Sequence, residues 1–390
     1  MRAIGLMSGT SLDGIDAAYV DVQPRGSGYE ARVERFTTVP FTTDVRERLL
    51  AALPPHAPGS AELAALDREL GALLAEAASA VAGYDEVDYV ASHGLTAFHR
   101  GEARQTLQIG DPYLVRDALD ASVVFDFRRA DCAAGGHGAP LVPYVDALLF
   151  ASPSRDVVAL NIGGIANVTV LCSGAAPRDA RAWDTGPGNM LLDAFVRART
   201  GGVERLDRDG IYAARGSVDG RAVQELVARE AFFLALPPPK STGRERFGTQ
   251  LLDAHADLFT RQSLEDGCAT LCAFTVTTIA DSLALYAPAG ADVIASGGGT
   301  RNPTLLAMLR ARLERDGAPL VTSDDLGVDA DAKEALAFAV LGYETLRGRP
   351  ANVPAATGAR HAAVLGAIAP CGLGALLAKM RDEVAANDAG

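Results

Sequence analysis

The sequence predicts an α/β fold that contains a duplicated unit, and three observations support this prediction. Short apolar strands alternate with helical segments along the chain, which is the pattern of α/β proteins. The segments Ala3–Val22 and Val157–Cys172 are alike, because each is a strand, a turn of small residues and a second strand. At 390 residues the chain is too long for one simple core, so two domains are expected.

The first copy opens the N-terminal half. Strands are predicted over Ala3–Met7 and Ile15–Val22, and the glycine-containing turn between them favours a tight hairpin with exposed backbone N–H groups. The elements predicted next are the helix Ala61–Ala82, the strands Val87–Ser92 and Leu107–Gly110, and a helix from Pro112 to about Leu119 that Asp111 caps.

The second copy consists of the strand Val157–Ile162, the turn Gly163–Gly164 and the strand Asn167–Cys172. The elements predicted after it are the helices Asn189–Arg199, Cys268–Tyr286, Pro303–Arg315, Ala332–Leu346 and Leu373–Val384, and the strands Asp292–Ser296 and Leu320–Thr322. We expect one domain over residues 1–140 joined by the C-terminal segment of about 350–390, a second over 141–349, and the crossover near 140–154.

Composition excludes several classes of protein. The formal charge of −13 argues against general binding to nucleic acid, which needs a basic surface. The five cysteines are irregularly spaced, which favours buried thiols in a reducing compartment over disulfides or a zinc site. The N-terminal apolar run is short, and no stretch approaches the ~18 uninterrupted apolar residues of a membrane helix. We expect a cytoplasmic protein without membrane partners, and a homodimer because that is the commonest assembly.

The first glycine-rich turn is the strongest local signal for a phosphate site. Successive N–H groups in such a turn form an anion-binding concavity, and Thr10 and Ser11 add hydroxyl donors. Asp13 and Asp16 are candidate ligands for the Mg²⁺ that accompanies ATP. An ordinary polar hairpin is the alternative for a single loop of this kind. The residues assigned to ATP here are Gly9, Thr10, Ser11, Leu12, Asp13, Gly14, Ile15 and Asp16.

Two further glycine-rich turns strengthen the interpretation. One begins the second copy, and the other follows a strand and precedes a helix, so that a helix N-terminus lies near it. Neither has the spacing of a P-loop or of a dinucleotide fingerprint. Together the three turns fit a two-lobed actin-like ATPase that binds a nucleotide between duplicated lobes. The residues assigned to the nucleotide here are Gly163, Gly164, Asn167, Gly297, Gly298, Gly299 and Asn302.

Asp184 is the candidate general base. It lies in the segment from Trp183 to Asn189, where a Gly-Pro-Gly turn precedes a helix and fixes the orientation of the side chain. Capping of that helix without chemistry is the alternative. The stiffness of the turn and the neighbouring tryptophan favour the catalytic role.

A polar cluster between residues 126 and 140 is a candidate sugar site. Arg128 and Asp131 could bind a carboxylate and hydroxyl groups, arginine being suited to carboxylates. A solvated ion pair explains the same two residues equally well. His93, His99 and His137 stand at strand or loop junctions, where a lone histidine is more often structural than catalytic, and their spacing indicates no zinc site.

The ordered motifs resemble those of the anhydro-N-acetylmuramic acid kinase family over residues 4 to 366. The motifs that carry the resemblance are GLMSGTSLDGIDAA, SHGLTAFH, LQIGDP, DFRRADCAAGGHGAPLVP, NIGGIANVT, DTGPGNMLLD, SGGGTRNPTL, DAKEALAFA and NVPAATGAR. The resemblance implies the fold of the sugar kinase, chaperone ATPase and actin superfamily.

The resemblance also implies a coupled reaction with ATP. Asp184 would take a proton from a water that attacks the anomeric carbon, and the freed O6 would attack the γ-phosphate. Glu334 would be a second carboxylate near that water, although a solvent-facing helix residue is the alternative. The resemblance implies sugar-binding roles for His93, Thr96, Gly186 and Asn189, beside Arg128, Asp131 and His137.

One position departs from the family pattern. SHGQT is expected where this chain has Leu95 between Gly94 and Thr96, so any contact made by an amide at that position is in doubt. Two other functions fit the residues alone. One is a kinase for an ordinary hexose or amino sugar with no water step, and the other is an ATP-binding regulator or actin-like scaffold without turnover.

Overall fold

A computed structural model describes residues 1–9, 12–25, 28–53, 56 and 58–389. The strands are β1 (Arg2–Ser8), β2 (Gly14–Arg25), β3 (Gly28–Pro40), β4 (Tyr89–Arg100), β5 (Gln105–Ile109), β6 (Ser122–Phe125), β7 (Val157–Ile162), β8 (Ile165–Leu171), β9 (Arg181–Pro187), β10 (Asp292–Ser296), β11 (Leu320–Thr322) and β12 (Ala367–Ala369). The helices are α1 (Thr43–Ala52), α2 (Ser60–Ala82), α3 (Pro112–Leu119), α4 (Phe127–Ala133), α5 (Val142–Phe150), α6 (Met190–Arg199), α7 (Ile211–Arg215), α8 (Gly220–Arg229), α9 (Ala231–Leu234), α10 (Arg244–Phe247), α11 (Thr249–Ala254), α12 (Ala256–Phe259), α13 (Leu264–Tyr286), α14 (Pro303–Arg315), α15 (Lys333–Leu346), α16 (Pro354–Thr357) and α17 (Leu373–Ala389).

The chain divides into two compact units. The terminal unit comprises Met1–Val145 and Ala332–Gly390, and the central unit comprises Asp146–Asp331. The second domain predicted from the sequence extends to residue 349, whereas α15 belongs to the terminal unit. The reason is close packing, because α15 crosses β1 so tightly that a side chain at Gly5 would collide with the carbonyl group of Ala335.

The sheet of the terminal unit has the strand order β12-β6-β4-β1-β2-β3, with β5 paired to β4. β1, β2 and β3 are antiparallel neighbours, whereas β1, β4 and β6 run parallel. α2 packs on this unit's core through Leu66, Leu70 and Leu74, whose spacing of four places them on one helical face. The edge strand β3 was not predicted from the sequence.

The sheet of the central unit repeats this arrangement in the order β11-β10-β7-β8-β9. Here β7, β8 and β9 are antiparallel, and β7, β10 and β11 run parallel. Both sheets therefore share one arrangement of five strands. Two antiparallel strands lie on one side of the first strand, and two strands parallel to it lie on the other. The predicted α/β fold with a duplicated unit is confirmed.

The helix α13 fills the core of the central unit. By length and composition alone it could cross a membrane, and it is the only helix of the described residues with that property. Most of its side chains are nevertheless buried in this unit's core. They include Cys268 and Cys272, two of the chain's five free thiols. The apolar composition is thus that of a core helix.

Two segments for which the sequence predicts no helix are helical. Residues 127–133 of the predicted polar cluster form α4, which buries Phe127, Asp131 and Cys132 on one side. The predicted crossover near 140–154 contains α5. Both are short, and α4 carries little of the apolar periodicity by which a helix is recognised in sequence.

Candidate active site

Polar residues occupy neighbouring positions on three strands of the central unit. Asn161 of β7 pairs with Asn167 of β8, and Asn167 pairs with Asp184 of β9. Residues directly opposite each other in antiparallel strands have Cβ atoms about 5 Å apart on the same face. A shift in register beside Asn167 leaves Thr185 as an extra residue in β9. The predicted base and a predicted nucleotide-binding residue are therefore side by side.

Asp184 is half-buried and is held by the segment Lys240–Thr242. Its Oδ2 accepts hydrogen bonds from the backbone N–H of Thr242 at 2.7 Å and from Oγ of Ser241 at 3.1 Å. Its own N–H donates to the carbonyl group of Lys240 at 3.0 Å. The sequence alone indicates no role for this segment. Asp184 lies within β9 and not at the start of a helix, so the capping alternative does not describe it.

The turn at Gly163 and Gly164 is bound to the segment that follows Asp184. The N–H of Gly188 donates to Gly164 at 2.9 Å, and that of Asn189 donates to Gly163 at 2.8 Å. A side chain at Gly188 would collide with the carbonyl group of Gly163, and Gly186 has a φ of 151°. Asn189 precedes α6 without capping it through its side chain. Two predicted motifs thus form one interlocked structure.

The third glycine turn lies against β7. Gly297 has a φ of 84°, and a side chain there would collide with the amide of Asn161. Gly299 lies equally close to Ile162, whereas Gly298 is exposed. Asn302 is buried and caps α14, because its Oδ1 accepts from the N–H of Leu305 at 3.0 Å. Asn302 therefore fixes the helix start, and the exposed backbone of the turn is left for a ligand.

The corresponding turn of the terminal unit joins β1 to β2. The N–H of Leu12 donates to Gly9 at 3.2 Å, and Oγ of Ser8 donates to Gly14 at 3.1 Å. Leu12 is buried with a φ of 56°, and Ile15 is buried in β2. Thr10 and Ser11 lie outside the described residues.

The two candidate metal ligands of this turn differ in their surroundings. Asp13 is exposed, and its carbonyl group accepts from the N–H of Phe41 at 3.1 Å. Oδ1 of Asp16 accepts from Oγ1 of Thr38 at 2.6 Å. Within the described part of the chain, no group of three or more His, Cys, Asp or Glu side chains could hold a metal. Magnesium bound with a nucleotide needs only one or two carboxylates beside phosphates and water, so these residues fit that smaller requirement.

Arg128 of the terminal unit is held by His93. Its Nε donates to Nε2 of His93 at 3.0 Å, and Nη1 donates to the carbonyl group of Gly138 at 2.9 Å. Nδ1 of His93 lies 2.9 Å from the carbonyl oxygen of Gly94, so the neutral ring with a proton on Nδ1 satisfies both contacts. Burial, and then the Arg128 charge, hold the pKa of His93 well below its usual value. His93 is therefore a neutral support for Arg128.

Glu334 lies in the first turn of α15 and its charge acts on the same arginine. Burial lowers the pKa of Arg128, and the Glu334 carboxylate is the strongest influence in the opposite direction. Arg128 is thus bonded to His93 and influenced by the charge of Glu334, all within the terminal unit. The alternative of a solvent-facing Glu334 is not supported, because this residue is partly buried beside a cation.

We expect the terminal unit to become less stable in acid, because His93 is neutral in the folded state. The unfolded chain binds a proton on this ring near its ordinary pKa of 6.5, whereas folded His93 does not until lower pH. Unfolding therefore takes up a proton as pH falls below about 6.5, and stability should decrease by about 1 kcal/mol per pH unit there. Denaturation of wild type and His93→Gln between pH 7.5 and 5.5 measures the difference. The exposed His361→Gln is the control, and equal pH slopes in wild type and His93→Gln would contradict the assignment.

Asp131 is fully buried, and the protein itself satisfies both of its oxygens. Oδ2 accepts from the N–H of Gly138 at 2.8 Å, and Oδ1 accepts from Asn352 at 2.7 Å and from Thr357 at 2.8 Å. Neither interpretation from the sequence, a ligand contact or a solvated ion pair, matches these surroundings. Asp131 ties α4 to the C-terminal segment of the unit.

The remaining sugar candidates lie on β4 and after α4. Oγ1 of Thr96 is 3.1 Å from Nε2 of Gln108, and His137 is exposed. Leu95 is completely buried in the apolar core of the terminal unit. Leucine fits this position, because its side chain is part of that core.

A pocket of about 390 Å³ opens beside His93 in the terminal unit. Its lining includes Gln108, Asp126 and Arg129, which the sequence analysis did not assign. Oε1 of Gln108 and Oδ1 of Asp126 are buried and have no hydrogen-bond partner in the described part of the chain. Oδ2 of Asp126 lies 3.1 Å from Nε of Arg129. Buried acceptors are normally paired, so this pocket suits a ligand that donates hydrogen bonds.

Fold and site together define the class of protein. The duplicated sheets, with glycine turns at corresponding hairpins, are the fold of actin-like ATPases and sugar kinases, and the match to a kinase family makes the chain a phosphotransferase. The family model described as anhydro-N-acetylmuramic acid kinase matches residues 1–371. The chain belongs to the anhydro-N-acetylmuramic acid kinase family.

Relatives match over nearly the full length. The anhydro-N-acetylmuramic acid kinase of Streptomyces avermitilis is 44% identical over 378 residues, which is 95% of this chain and 94% of the relative. That of Rhodococcus erythropolis is 42% identical over 380 residues, again 95% and 94% of the two chains.

Solved structures are more distantly similar. A ROK family glucokinase from Streptomyces griseus, in complex with glucose and AMPPNP, matches with a TM-score of 0.37 and 15% identity over 87% of this chain and 99% of that one. The activator of 2-hydroxyisocaproyl-CoA dehydratase from Clostridium difficile, with bound ADPNP, matches with a TM-score of 0.44 and 11% identity over 88% and 95%.

Proposed function

We propose that this protein uses ATP and water to open 1,6-anhydro-N-acetylmuramic acid and phosphorylate it at O6. The products are N-acetylmuramate 6-phosphate and ADP. Family membership supports the choice of sugar. The observation that carries the mechanism is the position of Asp184, which is held rigidly in β9 directly opposite Asn167. A general base must have a fixed orientation to take a proton in the transition state.

The proposed reaction is a sequence of bond changes in which atoms, electrons and protons balance. Water attacks the anomeric carbon while Asp184 takes its proton. The bond from that carbon to O6 breaks, and O6 leaves with the bonding electrons. O6 then attacks the γ-phosphorus, and ADP leaves with the electrons of the broken P–O bond. The proton on Asp184 returns to solvent.

The nucleotide is bound mainly by backbone groups. In the terminal unit these belong to the turn Gly9–Asp16, and in the central unit to Gly163 and Gly164. Gly297, Gly298 and Gly299 offer an open backbone surface beside the start of α14 for the nucleoside. Backbone N–H groups bind anions without a net positive charge, which agrees with an acidic chain. Mg²⁺, held by Asp13 or Asp16 with the phosphates, would neutralise charge on the transferred group.

The sugar is recognised by the cluster around Arg128. The guanidinium group suits the lactyl carboxylate of N-acetylmuramate, and Glu334 lies near it to contact the attacking water. Thr96 and His137 are further candidate sugar contacts in this unit, and Gly186 and Asn189 are candidates in the central unit. The unpaired oxygens of Gln108 and Asp126 accept from the amide or hydroxyl groups of the sugar. Asp131 and His93 act indirectly by fixing this cluster.

This function places the protein in the cytoplasm, where ATP is available. The net charge of −13 supports a protein without nucleic-acid partners. A homodimer is the assembly we propose, on general frequency alone.

The source of the new oxygen tests the mechanism. When the purified protein turns over anhydro-N-acetylmuramic acid and ATP in ¹⁸O-water, we expect a single labelled oxygen on the anomeric carbon and none in the phosphate. Mass spectrometry within minutes of mixing, before the anomeric hydroxyl exchanges, measures both positions. Label in phosphate would mean that water attacks ATP, and the coupled mechanism would fail.

Parallel assays decide between the alternatives. If N-acetylmuramate or N-acetylglucosamine reacts and the anhydro-sugar does not, the protein is an ordinary amino-sugar kinase. If ATP binds but no sugar stimulates release of ADP, it is a regulator or scaffold. We expect release of ADP that depends on the anhydro-sugar.

A further inference from the structure

The central unit contains a buried cation that the proposed reaction does not use. Lys240 is only 8% exposed. Its Nζ donates to the carbonyl group of Leu234 at 2.9 Å and to that of Phe233 at 3.3 Å, and it lies 4.9 Å from the centre of the Phe233 ring. An ammonium group is costly to bury unless it is well bound. These contacts tie residue 240 to the end of α9.

The same segment holds Asp184 from two directions. The carbonyl group of Lys240 accepts from the backbone N–H of Asp184 at 3.0 Å. The next two residues, Ser241 and Thr242, donate to Oδ2 of the carboxylate at 3.1 and 2.7 Å. One contact fixes the main chain of Asp184, and two resist rotation of its side chain.

We propose that Lys240, Ser241 and Thr242 form a positioning clamp that orients the Asp184 carboxylate for proton transfer. Lys240 anchors the clamp, and the other two residues hold Oδ2. This inference rests on the proposed function, in which Asp184 takes a proton from water. The three residues touch Asp184 and are not assigned contacts with the reacting atoms, so their effect is on orientation and basicity.

Charge supports the arrangement. Burial lowers the pKa of Lys240, and the nearby Asp184 carboxylate acts in the opposite direction. The Asp184 carboxylate therefore favours the charged form of Lys240. Removing the Lys240 charge should disturb Asp184 even where the fold is kept.

Steady-state kinetics test the clamp. Ser241→Ala removes one donor and should lower kcat about tenfold, with the KM values for ATP and sugar within about twofold of wild type. Lys240→Met removes the anchor and should lower kcat roughly 30-fold, because small misplacements of catalytic groups cost rate. Lys240→Arg keeps the charge and should recover part of the loss. Ser79→Ala and Lys379→Met, both in the terminal unit, are the matched controls and should behave as wild type.

A titration of the resting protein separates this inference from the proposed function. In protein labelled with ¹³C at aspartate carboxyl groups, the resonance missing from Asp184→Asn belongs to Asp184. In Ser241→Ala it should titrate at higher pH than in wild type, because a lost donor disfavours the ionised form. If the wild-type protein is inactive toward the anhydro-sugar, the proposed function is wrong. The titration still tests the clamp in that case, because it needs no turnover.

Two results would overturn the clamp. One is an unchanged kcat per folded molecule in both Ser241→Ala and Lys240→Met, as expected if the segment only supports folding. The other is an Asp184 resonance that titrates identically in wild type and Ser241→Ala. If Lys240→Met does not fold, Ser241→Ala alone decides.

Discussion

Asp184→Asn should lower kcat by about 10²–10⁴-fold, the usual contribution of a positioned base. The amide cannot accept a proton from water, but it has nearly the same size and can still accept hydrogen bonds from Ser241 and Thr242 through its oxygen. Binding of ATP should therefore remain. Release of ADP in the presence of the anhydro-sugar measures the loss, and calorimetric titration with a non-hydrolysable ATP analogue measures binding.

A control for this variant lies on the same unit. Asp281 is an exposed carboxylate of α13 that pairs with Arg312 at the surface, so Asp281→Asn should retain full activity. Full activity in Asp184→Asn would remove the general-base assignment. Loss of ATP binding together with activity would indicate that Asp184 contributes to the nucleotide site instead.

Local patterns made the duplication predictable. Each copy begins with a strand, a glycine turn and a second strand, and these signals lie within about twenty residues of sequence. The strand β3 was missed because it is an edge strand. Its exposed Glu30, Arg32 and Glu34 alternate with half-buried residues, which weakens the apolar pattern expected of a strand.

The placement of α15 could not be derived from local signals. The helix is buried on almost every side, so its sequence does not indicate which sheet it covers. Its assignment to the terminal unit depends on Gly5, which allows the helix backbone to approach β1. A contact between residues 5 and 335 carries no local sequence signal.

In the candidate site, too, local features could be predicted from the sequence and long-range contacts could not. Its glycine turns and Asp184 were predicted, because turn chemistry is local. The partners that orient Asp184 are 57 and 58 positions away along the chain, and no local pattern connects them with it. Asp131 was placed among the sugar ligands because a carboxylate near glycines suits both a ligand and a structural anchor. Only its burial and three protein donors distinguish the two.

Asp131→Ala should be the most destabilising of the substitutions considered. It would leave three donors, from Gly138, Asn352 and Thr357, without the carboxylate that they now share. Hydrogen bonds to charged groups are worth about 1.5–3 kcal/mol each, and unpaired buried donors add a desolvation cost. Because the variant no longer buries a charge, part of this cost is offset. We expect a net loss of about 3 kcal/mol, which lowers the melting temperature of the terminal unit by roughly 6–12 °C.

Differential scanning calorimetry measures this shift, with Asp44→Asn as the control because Asp44 is an exposed surface residue paired with Arg48. The control should change stability by less than about 0.5 kcal/mol. Asp131→Asn keeps one acceptor oxygen and should fall between the control and Asp131→Ala. Asp131 is a ligand-binding residue if Asp131→Ala has the melting temperature of wild type but a lower affinity for the sugar. A structural anchor would have to affect stability before it affects binding.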